Sequence, residues 1–271
     1  PLQPVMRSPL EFRRRGGGFN PVSAIFGAGQ QGVLYDPSVM SSLFRDDAFT
    51  IPVTAADQTV GGMLDLSGNG NHAIQADASK RPILRNSGAL WWLEFDGIDD
   101  FMSTAAIDFS GTDKLALWAG VTKLDDTARI VAELSADTNG NEGSFYMVTG
   151  TNGGFTQAYT SMSRGAAHIT TLQTAVYTGA PAPDTAALTI THDISGDLST
   201  IKRNGVAGVN GTFDKGTGNF GNYPLYIASR AGTGVFFNGN LYPLIIAGAL
   251  YDADTVAKMN AWTAQKTGVA L

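Results

Sequence analysis

Apolar residues along this chain come in short runs that alternate with polar ones at a period of two, the pattern of strands with one face buried. Leu115, Leu117, Ala119 and Val121 show it most plainly. The runs predict strands over 90–96 (LWWLEFD), 100–104, 114–122, 129–134 and 144–149. Five more follow over 168–177, 187–194, 199–206, 224–229 and 240–250. Ahead of them, VLYDPSVMSSLF reads as a short strand and one or two helical turns, followed by a long loop. Asn204-Gly205 marks a tight hairpin tip, because both residues accept positive φ. One helix is predicted near the end. Asp252 caps it, Val256, Met259 and Trp262 share a face, Lys266 suits the C-terminal dipole and Gly268 stops it. Many short strands and a single terminal helix predict an all-β, two-sheet antiparallel jelly-roll sandwich, with the helix packed over one edge.

Composition supports that architecture and sets off the N-terminus. Thirty-three glycines and eleven prolines suit tight turns between strands. In residues 1–30, Pro4, Pro9, Pro21 and the Gly16-Gly17-Gly18 run leave nothing periodic to fold, so this stretch reads as an extended docking arm before a single domain at 31–271. Four arginines against Glu11 make the arm +3, which leaves −9 on the remainder of a chain whose net charge is −6. A body this acidic repels a phosphate backbone, so nucleic-acid contact could belong only to the arm. There Arg13, Arg14 and Arg15 sit between Phe12 and Phe19, and apolar anchors beside charge favour a groove on a neighbouring protein. Cysteine is absent, which excludes disulfides and thiolate chemistry. No run has the length of a membrane span and no leader pattern opens the chain, so a soluble, cytoplasmically made protein with no membrane partner is expected.

The stretch DLSGNGNHA (Asp65 to Ala73), RPIL (Arg81 to Leu84) and LEFDGIDDFM (Leu93 to Met102) together resemble the laminin-G-like, concanavalin A-like domains. There a D-x-S-G-N-x-N-H loop precedes an F-D-G-x-D-D strand and turn. YDPS, GTGNFGNYPLYIASR, FNGNLYPLII and the closing helix before KTG are similar to the versions encoded in bacteriophage and prophage genomes, over residues 33–268. The resemblance implies a virion structural protein present in multiple copies, foremost a tail or baseplate appendage. Its arm would dock on other virion proteins and its domain would contact host-surface glycans. Capsid head decoration is the alternative, as is a free carbohydrate-binding or glycan-hydrolysing protein.

Candidate chemistry is sparse. Glu94, Asp96 and Asp99 superficially copy the alternating carboxylates of sandwich-fold glycoside hydrolases, whose acid and nucleophile face one cleft. Gly97 turns the chain before the third carboxylate, so no catalytic residue is expected. Asp65, Asn69, Asn71, Asp96 and Asp99 offer oxygen ligands for a calcium ion on the sandwich rim, with loop hydrogen bonding as the alternative; no cofactor is required. The histidines, His72, His168 and His192, are too dispersed for a metal cluster and read as structural. Glycan contact calls for exposed aromatic rings. Trp91, Trp92 and Tyr223 are the foremost candidates, with Trp118, Tyr146, Tyr159, Tyr226 and Tyr242 also available. Adjacent Trp91 and Trp92 must point to opposite faces of their strand.

Overall fold

The computed structural model describes residues 18–136, 142–167 and 174–271. The chain enters through helix α1 (Pro21–Phe26) and strand β1 (Gly32–Tyr35). Short strands β2 (Leu43–Phe44), β3 (Gly62–Met63) and β4 (Ala73–Ile74) occupy the stretch expected to be a long loop. Next come β5 (Ile83–Ser87), β6 (Leu90–Asp96), β7 (Met102–Asp108), β8 (Lys114–Lys123) and β9 (Arg129–Leu134). The second half supplies β10 (Phe145–Asn152), β11 (Phe155–Ser163), β12 (Ala175–Tyr177), β13 (Asp184–Asp193) and β14 (Leu198–Arg203). It continues with β15 (Val206–Ala207), β16 (Asn222–Ile227) and β17 (Asn238–Ala247), and helix α2 (Ala253–Thr267) closes it.

Among the described residues the strands form two antiparallel sheets. The eight-stranded sheet runs β15-β14-β13-β8-β17-β6-β5, with β1 also on β17; the nine-stranded sheet runs β12-β11-β10-β9-β16-β7-β4-β3-β2. Their facing sides hold the core, in which Tyr35, Phe95, Phe145, Tyr159, Phe220 and Phe237 are sealed from solvent. The expected hairpin tip is present: Asn204 (φ 48°) and Gly205 (φ 77°) are both left-handed and join β14 to β15.

The helix α2 has the predicted limits, with Asp252 Oδ1 accepting from Thr255 N at 2.7 Å and Gly268 left-handed at its end. Its position differs from the expected edge. It lies over the outer face of the eight-stranded sheet, because that face is apolar at its centre. Ala116, Trp118, Ile245 and Ala247 point outward there and pack against Met259, so β8 and β17 are buried on both faces. Burying Trp118 contributes on the order of 3–5 kcal/mol. Its indole N–H is satisfied by Asn260 Oδ1 at 3.1 Å, which also accepts from Thr189 Oγ1 at 2.6 Å.

The described end of the expected arm belongs to the same layer. Asn20 Oδ1 caps α1, accepting from Val22 N at 3.0 Å and Ser23 N at 3.3 Å, and Pro21 suits the first helical turn. Ile25 and Phe26 then insert beside Leu34, Trp118 and Ile245. Six residues are too few to show a helical period, so composition alone read this stretch as extended. The arm residues Phe12, Arg13, Arg14 and Arg15 lie outside the described residues, as does the 168–173 part of the strand expected at 168–177. Strand β11 was not expected at all. Its run FTQAYTSMS mixes Thr, Gln and Ser onto both faces, which masks the period-two pattern.

Candidate functional site

The SGNGNHA loop is held by its own polar groups. Asp65 Oδ1 accepts from the backbone of Leu34 and Ser67, both at 2.9 Å, and Oδ2 from Ser67 Oγ at 2.7 Å and Asn71 N at 3.1 Å. The amide nitrogens of Asn69 and Asn71 both donate to Gly32 O, and His72 Nδ1 accepts from Asp65 N at 3.0 Å. Four donors fill the Asp65 carboxylate, so this loop ties β1 to the sandwich instead of presenting oxygens to an ion.

The remaining expected ligands, Asp96 and Asp99, fall elsewhere, on the turn after β6, where they lie with Asp100. The five expected calcium ligands are therefore not brought together. Asp96 Oδ1 accepts from Ile98 N at 2.8 Å and Asp99 N at 3.3 Å, a side-chain-capped turn. Gly97 has φ 75°, and a Cβ there would lie 2.6 Å from the Asn238 side chain. Burial, then the charge of Asp96, pushes the Asp100 carboxyl up to about 6. Glu94 is paired with Arg85 at 2.9 Å.

His192 is fully buried, with Nε2 2.9 Å from Ser161 Oγ and Nδ1 2.7 Å from Ser199 Oγ. Burial, then the charge of Lys215, holds it down at about 3. It cross-links β11, β13 and β14 inside the sandwich, and a nucleophile sealed there meets no substrate.

The aromatic candidates separate by face. Trp91 and Tyr223 pack against the inter-sheet core, and Trp92 leans on Tyr242 on the opposite side of the eight-stranded sheet, with centroids 5.6 Å apart. Phe19 packs with the outer-face cluster and lines a cavity of about 410 Å³ with Lys258 and Trp262. A second cavity of about 420 Å³ runs along Thr189, Thr191, Thr200 and Lys202, but its ring, Tyr251, is engaged through its hydroxyl with Ile25 O at 2.8 Å.

The outer face of the nine-stranded sheet is different. Register places Ser103, Tyr226, Glu133, Tyr146 and Met162 in one row across β7, β16, β9, β10 and β11. Two strand spacings, about 10 Å, separate Tyr226 from Tyr146. Both rings are half-buried. Between them Glu133, 1% exposed, accepts from Ser135 Oγ at 2.6 Å and from Arg230 Nε at 3.3 Å. The Arg230 guanidinium stands over the Tyr146 ring, 5.4 Å from its centroid. Burial pushes Glu133 up, opposed by Ser135 and Arg230. Arg230 is aimed by a turn with left-handed backbone at Ala228 (φ 68°), Ala231 (φ 47°), Gly232 (φ 69°) and Val235 (φ 52°). Three non-glycine residues in that region cost of order 1 kcal/mol each, strain of the kind that accumulates at ligand sites.

No protein-family model and no curated protein sequence matches the chain. Solved structures do. An arabinofuranosidase complexed with arabinofuranosyl-alpha-1,2-xylobiose superposes with a TM-score of 0.61 at 13% identity, over 91% of this chain and 65% of that one. Domain 4 of a GH43 extracellular arabinanase from Geobacillus stearothermophilus, in complex with arabinotriose, gives 0.53 at 11%, over 84% of this chain and 99% of that one. The botulinum neurotoxin serotype D binding domain gives 0.57 at 9%, over 90% of this chain and 53% of that one, so the chain spans about half its length. The fold is a two-sheet antiparallel β-sandwich of the jelly-roll kind.

In this jelly roll the tyrosine row is the arrangement that composition could not reveal. Tyr146 and Tyr226 were visible as aromatics, but their alignment needs the register of three strands distant in sequence. Glu133 and Arg230 were missed because a lone carboxylate in an apolar run and an arginine after a strand carry no local motif. A strand carboxylate such as Glu133 in RIVAEL, expected to be buried on one face or paired, was the available signal.

Proposed function

We propose that the chain is a carbohydrate-binding module with no catalysis of its own, receiving saccharide on the outer face of the nine-stranded sheet. The observation that carries this reading is the row Tyr226, Glu133, Tyr146, in which two partly buried rings flank a charged pair. Tyrosine faces take the apolar C–H faces of sugar rings, and the partly exposed Arg230 guanidinium, held in place by the sealed Glu133, donates to hydroxyls. Two of the similar structures hold saccharides, which supports the same use for this fold. Binding without turnover is supported by Glu94 being tied to Arg85 and Asp96 being spent on its turn.

We further propose a place on a virion, as a tail or baseplate appendage docked through the N-terminal arm, on the resemblance of the DLSGNGNHA and LEFDGIDDFM stretches and their neighbours to phage-encoded domains. Calorimetric titration of the full chain with arabinotriose, xylobiose and galactose oligomers tests the binding reading. Saturable heat that Tyr226→Ala and Tyr146→Ala each remove supports it; heat unaffected by either, or none with any saccharide, counts against it. Peptides of this chain in purified particles, lost on deletion of residues 1–17, would support the virion placement, and their absence from particles would remove it.

A further inference from the structure

Strand β11 ends at Ser163, and Arg164 N continues its ladder by donating to Ser144 O at 3.0 Å. Met162 faces outward opposite Tyr146, so two residues on, Arg164 falls on the same outer face. It is 4% exposed, yet its Nε has no hydrogen-bond partner and its guanidinium no ion pair among the described residues. The charge of Glu133 favours the cation, but Arg230 opposes it. Glu133 is engaged by Ser135 and Arg230, and Arg230 is a second cation on the same face. Burial therefore pulls the Arg164 guanidinium below its ordinary value.

A buried cation without a partner is costly in a folded protein and is kept where something else supplies the counter-charge. A guanidinium presents parallel N–H groups in a fixed fork that matches a carboxylate or a sulfate, both of which accept two such bonds. Among the described residues, the charged side chains that act on Arg164 are one cation, Arg230, and one carboxylate, Glu133, so an acidic group placed there meets a net positive set.

We propose that the saccharide bound on this face is acidic, and that its carboxylate or sulfate ester pairs with Arg164 while Tyr226 and Tyr146 hold the sugar rings. The inference rests on the carbohydrate-binding reading and names the ligand class of that same site. No covalent step is involved. The acidic group displaces water, and its charge completes the Arg164, Glu133 and Arg230 set. Two sources share this oxyanion chemistry: a uronic or sialic acid carries a carboxylate, and a sulfated glycan carries an ester.

The test titrates the full chain with paired probes: galacturonic acid trimer against galactose trimer, sialyllactose against lactose, and a sulfated galactose disaccharide against its unsulfated form. Each is repeated with Arg164→Met and Tyr226→Ala. The acidic member of at least one pair binds about tenfold or more tighter than its neutral partner, as one charge-assisted contact requires, and Arg164→Met abolishes that preference. The pair that shows it identifies carboxylate or sulfate as the source. Without ligand, Arg164→Met raises the thermal unfolding midpoint, because the uncompensated cation is gone; a stabilised variant is folded, so its lost preference is not misfolding. Equal binding of acidic and neutral members, a preference that survives in Arg164→Met, or a lowered midpoint overturns the proposal. Equal binding that still needs Tyr226 would sink the acidic ligand and leave the carbohydrate reading standing. Inorganic sulfate protecting the wild-type chain through Arg164, with no saccharide bound, would leave an anion site and remove the carbohydrate reading. No binding of any probe removes both.

Discussion

Arg230 donates through Nε to Oε2 of Glu133 at 3.3 Å, joining the turn after β16 to the last residues of β9 across a sheet face where Glu133 is otherwise sealed. The pair positions the guanidinium over Tyr146 and offsets part of the upward push that burial gives the Glu133 carboxyl. Removing Arg230 leaves Glu133 with neutral donors, Ser135 and the backbone of Ala231, and no counter-charge. Arg230→Ala is expected to lower stability by about 2–3 kcal/mol, below the full cost of an unpaired buried charge because Arg230 is partly solvated. Urea denaturation measures it, and a change under 0.5 kcal/mol, on the order of an unlinked surface substitution, would show that the pair does not hold the face together.

Asn260 is the polar contact between α2 and the sheet, accepting from both Trp118 and Thr189. Asn260→Leu strands an indole N–H and a hydroxyl at that junction. The expected cost is about 1–3 kcal/mol, read as a lower denaturation midpoint with an unchanged denaturant slope. A neutral outcome would mean that helix docking rests on Met259 and its apolar neighbours alone.

Two buried groups give opposite pH dependences. His192 stays neutral in the fold down to about 3, below its unfolded value. Between those values the unfolded chain binds the extra proton, so stability falls as pH drops below about 6.5, by about 1.4 kcal/mol per unit. Asp100 is raised to about 6, so the native state holds the extra proton and stability falls as pH rises from about 4 to 6. Asp100→Asn is therefore expected to stabilise the chain at pH 7 and to change nothing at pH 3.5, while His192→Gln flattens the acid limb. Thermal melts from pH 3.5 to 7.5 check both; a gain from Asp100→Asn that is equal at both pH values would contradict the assignment.

The boundary of the arm can be placed by truncation. Deleting residues 1–17 is expected to leave the unfolding midpoint unchanged. Deleting 1–30 removes Ile25 and Phe26 from the cluster around Trp118, and on the order of 3–5 kcal/mol of apolar burial goes with them. Equal midpoints for the two truncations would show that α1 adds nothing to the body.

What the sequence made legible follows the range of the interactions involved. The helix α2 and the Asn204-Gly205 turn were readable because caps and turn residues act within a few positions. The strands of the central sheets were readable where one face is uniformly apolar, as in β8, though its second buried face was not, since Ala116, Trp118 and Gly120 gain their cover from a helix distant in sequence. Strand β11 was hidden by hydroxyl residues on both faces: Ser161 turns inward to bond His192, a contact only the fold creates. The candidate site shares that limit. Tyr146, Glu133 and Tyr226 are neighbours through register alone, and Trp91 and Tyr223, the more conspicuous aromatics, serve the core.

The most direct test of the proposed binding face is residue-resolved. Titrating the isotopically labelled chain with the saccharide it retains best, and following the tyrosine rings and the arginine Nε–H signals, locates the contact. The expected result is saturable shifts at Tyr226, Tyr146, Arg230 and Arg164 with Trp92 and Trp262 unmoved. Shifts centred on Trp92 or Trp262, with the tyrosine row silent, would contradict it.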